Sequence, residues 1–126
     1  MLAKTIIHAV VCLVLCLTFS AMIGCKKSEA PAPATPAEAQ AAIQDAFKQA
    51  SPELKAAADE TAVAIEREPA KALGQLRGIS ANLDLTSEQR RAAEQSMFLL
   101  LKNLRDAAAK GDANAEQALE AYQATK

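Results

Sequence analysis

The chain has 126 residues, 51% of them apolar and 3% aromatic, with no tryptophan and a formal net charge of −1. That length holds at most one domain with appendages. The near-neutral balance lacks the basic excess with which nucleic-acid binders neutralise phosphates, so no nucleic-acid partner is expected.

The first eight residues carry one lysine, Lys4, and AVVCLVLCLTFSAMIG follows, apolar apart from Thr18 and Ser20. A basic start, an apolar run and small residues before a break define a secretory signal. The break falls at Met22-Ile23-Gly24-Cys25, which resembles the lipobox of bacterial lipoproteins. The resemblance implies that Cys25 is joined to diacylglycerol, that the bond before it is cut, and that membrane lipid is a partner through the acylated cysteine. One acyl chain binds a bilayer only marginally, at about 0.8 kcal/mol per buried CH₂, whereas two or three hold firmly. Lys26 stands where an aspartate favours inner-membrane retention in enterobacterial lipoproteins, so the resemblance implies the periplasmic face of the outer membrane. The alternative is an uncleaved anchor, because Ile6 to Gly24 is long enough to cross a bilayer.

These features divide the chain into a signal peptide (1–24), a lipid anchor with flexible linker (25–35) and a helical domain (36–126). Cleavage removes Lys4, His8, Cys12 and Cys16. Fourteen basic side chains less Lys4 leave thirteen against fifteen acidic ones. The mature chain then has no histidine and no thiol free to pair. In the linker, Pro31, Pro33 and Pro36 favour extended backbone at about 3.1 Å per residue. Lys26 and Lys27 either meet lipid phosphates or are solvated.

Alanine dominates beyond the linker, and it is the strongest helix former, so the fold class is predicted to be all-α. Thr35-Pro36-Ala37-Glu38 begins a helix with a cap, a proline at the first position and a carboxylate that reaches back. Ala39, Ile43, Ala46, Phe47 and Ala50 then share a face. Ser51-Pro52 starts a second helix to about Arg67, with Leu54, Ala58, Thr61 or Ala62, and Ile65 inward. Pro69 interrupts it, and a third helix carries Leu73, Leu76, Ile79 and Leu83. Thr86 and Gln89 mark a fourth, Ser87 to Lys110, with a stripe of Ala93, Met97, Leu100, Leu101, Leu104 and Ala108. Arg90–Glu94 and Asp106–Lys110 are spaced for ion pairs outside it. Gly111 stops that helix, and Asp112 caps a fifth with Ala115, Ala118, Leu119 and Tyr122. Five short amphipathic helices with short connections form a compact antiparallel bundle around a thin core.

Several features bear on function. Phe98 and Leu99 make the middle of the fourth helix apolar nearly all round, which implies either burial between neighbours or a partner patch. Gly74 and Gly78 form G-x-x-x-G, which implies close helix approach or a hinge. Asp59, Glu60, Glu66 and Glu68 lack metal-ligand spacing and read as a solvated acidic face, so no metal and no cofactor are expected. With no histidine base and no thiol nucleophile, no catalytic residue is expected either. The ending AYQATK is similar to that of the major outer-membrane lipoprotein of enteric bacteria, which implies a covalent peptidoglycan link through Lys126. That family is one continuous coiled coil, whereas this chain is broken by Pro52, Pro69 and its glycines. AVAIEREPAKALGQLRGI is similar to one tetratricopeptide-type helical hairpin, which implies a helical interaction module. The function expected on these grounds is non-catalytic binding of an unknown envelope protein, or scaffolding. A structural tether through Lys126 is the alternative.

Overall fold

The computed structural model describes residues 31–125, so the signal segment, Cys25 and Lys126 lie outside the described residues. The described chain is all-α. Its helices are α1 (Pro36–Phe47), α2 (Pro52–Arg67), α3 (Pro69–Ser80), α4 (Ser87–Ala108) and α5 (Ala113–Ala124).

Each start follows from local chemistry. Thr35 accepts from the Glu38 amide at 3.2 Å, and the Glu38 carboxylate accepts from the Ala34 amide at 2.7 Å, one residue earlier than a capping box requires. Thr86 and Gln89 make the full reciprocal box, at 3.2 and 3.0 Å. Ser51 caps α2 at 3.4 Å, and Asp112 caps α5 through the amides of Asn114 and Ala115. α1 stops at Phe47 rather than running to Ala50. Pro52 forces Ser51 into extended backbone (ψ 153°), and the preceding residues turn to meet it. α2 and α3 are separated by Glu68 alone, held at φ −140° before Pro69. α4 closes in a Schellman turn around Gly111 (φ 89°), with the Gly111 amide on the Ala108 carbonyl (2.8 Å) and the Asp112 amide on that of Ala107 (3.2 Å). An αL residue is needed there, and glycine occupies αL without strain.

The packing is a ring with one addition. α1 lies against α2 and α4, and α3 also lies against α2 and α4. The short connections make consecutive helices antiparallel, so α1 to α4 form an up-down-up-down bundle. α5 covers the α3–α4 side. The core holds Ile43, Phe47, Ile65, Leu73, Leu76 and Leu100, all nearly inaccessible. Ala39, Ala58, Ala62, Ala72 and Ala93 are fully buried between them. An alanine at such a position lets neighbouring helix backbones approach.

Some expectations fail for identifiable reasons. Leu83 is 91% exposed and Leu85 is buried instead. α3 ends at Ser80, so its period does not carry to residue 83, and an Asx turn (Asp84 amide to Asn82 Oδ1, 2.9 Å) redirects the chain. Asp106 pairs with Lys102 at 3.0 Å rather than with Lys110. Arg90 reaches the carbonyls of Ser80 and Asn82 at the α3 terminus, at 3.4 and 3.5 Å, rather than Glu94.

Of the three buried polar side chains, Gln89 belongs to the capping box, and Thr61 and Ser96 lie fully inside the core. The Thr61 hydroxyl donates to the Ala57 carbonyl at 2.7 Å. The Ser96 hydroxyl is fully buried and has no partner among the described residues. An unmet buried hydroxyl costs about 1–3 kcal/mol. Ser96→Ala is therefore expected to leave stability unchanged or raise it by about 1 kcal/mol. Urea denaturation checks this, and a clear loss of stability would show that the hydroxyl has a partner.

Candidate functional site

Three surface regions bear on function. The first surrounds Phe98 and Leu99. α4 is flanked by α1, α3 and α5, so three of its sides are covered. Leu99 is accordingly buried in the core, whereas Phe98 remains 68% exposed. The two residues expected as a patch are thus unequally exposed, and both line one groove. The segment just before α1 runs back beside it. Ala32, Pro33 and Ala34 line a groove of about 350 Å³ together with Glu94, Phe98 and Lys102. The compact unit takes in Ala32–Ala34 ahead of its first helix, which begins at Pro36. A Pro/Ala tract carries no signal that its last residues will be fixed against a helix.

The second region is a groove of about 450 Å³ between α2 and α3, lined by Leu54, Glu60, Thr61, Gln75, Gly78 and Ile79 among others. Glu60 accepts from Lys71 at 3.0 Å and from Gln75 Nε2 at 2.9 Å. The hydrogen bond from Lys71, its positive charge and the Gln75 amide hold Glu60 below the usual carboxylate range. The same bond, the Glu60 charge and the charge of Glu68 raise Lys71. Asp59 is engaged separately by Lys55, and Glu66 and Glu68 are exposed. The four carboxylates are not brought together, and among the described residues no group of three or more metal-ligating side chains converges.

The Glu60–Lys71 pair contributes to the pH dependence. The Glu60 contribution is present above the ordinary carboxylate pKa and is lost as pH falls through its lowered value. That of Lys71 is present below the ordinary lysine pKa and is lost as pH rises through its raised value. Both groups are exposed, so both effects are small. The melting temperature of the helical domain is expected to be flat from about pH 5.5 to about 9. A titration step near neutrality in thermal melts would contradict this.

Gly74 and Gly78 do not mediate the expected close helix approach. Both are exposed on α3, and a Cβ added at either meets nothing within 4 Å.

The third region secures the C-terminal helix. Ala115 alone of α5 is fully buried, with Ala118, Leu119 and Tyr122 half-buried. The Arg77 guanidinium lies 5.8 Å from the centre of the Tyr122 ring and donates to the Thr125 hydroxyl and carbonyl. The Tyr122 hydroxyl contacts Met97 Sδ at 3.9 Å. Arg77 is separated from Thr125 by 48 positions, and no sequence pattern announces their meeting. Arg77→Ala is expected to speed amide exchange across 113–125 about tenfold and leave α1 to α4 unaffected. Equal exchange in variant and parent would remove the clasp role.

No helix among the described residues is long and apolar enough to cross a membrane. Comparison with protein-family models, curated proteins and solved structures finds no match to this chain.

Proposed function

We propose that the chain is a lipid-anchored envelope protein whose helical domain binds or scaffolds an envelope partner without catalysing a reaction. The observation that carries this is Met22-Ile23-Gly24-Cys25 at the end of an apolar run, with a folded unit beginning seven residues later at Ala32. Acylation at Cys25 would confine the bundle to a thin layer at the membrane and raise its effective concentration for any partner there. The placement on the periplasmic face of the outer membrane rests on Lys26.

The test is the intact mass of the untagged protein, extracted from envelopes after muramidase digestion. A species beginning at Cys25 with added acyl mass is the expected result. The full mass from Met1 would overturn the lipoprotein reading in favour of a signal anchor. A further muropeptide increment localised to Lys126 would favour the structural tether over the binding module.

A further inference from the structure

We propose that Phe98 and the groove beside it form a membrane-contact site, with the ring seated in the interfacial layer of the bilayer that carries the lipid anchor. This deepens the lipid-anchored reading above and rests on it. The occupant is a lipid surface rather than a second copy or another protein.

The first argument is the path of the chain. Ala32–Ala34 line the same groove as Phe98, so the anchor segment joins the domain beside this aromatic ring. Six residues separate Cys25 from Ala32, a span of at most about 25 Å over the seven Cα-to-Cα steps even when fully extended. A domain held by so short a lead keeps the face where the lead arrives closest to the lipid. That face carries the one aromatic ring that stands mostly exposed among the described residues.

The second argument is chemical. The groove walls are alanine, proline, leucine (Leu99) and phenylalanine, with the polar atoms of Glu94, Gln95 and Lys102 around them. Aromatic side chains favour the headgroup level, where an apolar ring meets a wet boundary. Lys102 can lay its methylene stem along the ring and keep its ammonium at phosphate depth. Glu94 and Asp106 lie on the same helix, and Asp106 already holds Lys102 at 3.0 Å. The contact therefore depends on the ring rather than on net charge, and it resists salt. One ring makes a weak contact. Tethering compensates, because the second contact of an anchored molecule is intramolecular.

The chain has no tryptophan, so a single introduced indole reports its own surroundings. The full chain carrying Phe98→Trp is expressed in a bacterium, extracted in detergent and reconstituted into vesicles of phosphatidylethanolamine and phosphatidylglycerol. Leu83→Trp serves as the comparison, because Leu83 is 91% exposed in the α3–α4 connection, remote from the start of α1. The Phe98→Trp emission is expected to shift to the blue on reconstitution and to lose most of its intensity to brominated lipid, with little change at high salt. The Leu83→Trp emission is expected to stay that of an indole in water. Flotation with the vesicles but water-like emission from Phe98→Trp overturns the inference and leaves the anchor standing. Equal quenching at both positions also overturns it, as does a blue shift that grows with protein density but is not quenched by bromolipid, which would indicate a second copy. Failure to float overturns the anchored reading, and the inference falls with it.

Discussion

Phe47→Ala is expected to lower the stability of the helical domain by about 3–5 kcal/mol. Phe47 closes the last turn of α1 and is 1% exposed, enclosed by the α2 and α4 faces that α1 packs against. Truncation removes the transfer free energy of the ring and leaves a cavity that helices packed through alanine cannot readily collapse to fill. A domain of this size has about 5–10 kcal/mol in total, so the loss is a large share of it. Urea denaturation followed by circular dichroism measures the change. Phe98→Ala makes the contrast, since it deletes the same side chain from a position 68% exposed. It is expected to stay within about 0.5 kcal/mol of the parent. Equal losses from the two substitutions would mean that α4 does not present Phe98 to solvent.

The second large effect runs in the opposite direction. Gly74→Ala with Gly78→Ala is expected to stabilise the domain by about 1–2 kcal/mol. Both glycines lie within α3 with helical backbone, and the space above each is open. Alanine at such positions reduces the conformational freedom of the unfolded chain without strain in the folded one. For a domain of this length, each kcal/mol raises the melting temperature by about 4–8 °C. Destabilisation by either alanine would restore the close-approach reading. Gly78 also lines the groove between α2 and α3, so its Cβ would intrude on anything bound there. If the double variant is more stable but loses capture of an envelope partner, that groove is the binding surface.

The spacing of residues determined most of the architecture. Pro36, Pro52 and Pro69 sit at the first positions of α1 to α3, and Thr86 with Gln89 builds the box that starts α4. These are local events, decided by backbone atoms within four residues, and a linear pattern carries them. The inward faces of α1 and α2 are legible for the same reason, because helical periodicity places Ala39, Ile43 and Phe47, or Ala58, Ala62 and Ile65, on one side.

What depends on the partner of a face is not legible in this way. Leu99 and Phe98 are adjacent and equally apolar, yet one is buried and the other is not. α1, α3 and α5 cover three sides of α4 and leave the fourth open. Asp106 has lysines four residues away in both directions, and the geometry of the folded helix selects Lys102 over Lys110, which lies in the closing turn. Arg77 and Thr125 meet only because α5 folds back across α3 and α4. The placement of Ala32–Ala34 beside Phe98 is likewise a tertiary fact, and it makes the end of a tether part of a surface. The motif at Cys25 and the helix starts are determined by the sequence itself, because their chemistry is local. The exposed ring, the open glycines and the Arg77 clasp are decided by tertiary structure, because each depends on which neighbours the bundle supplies.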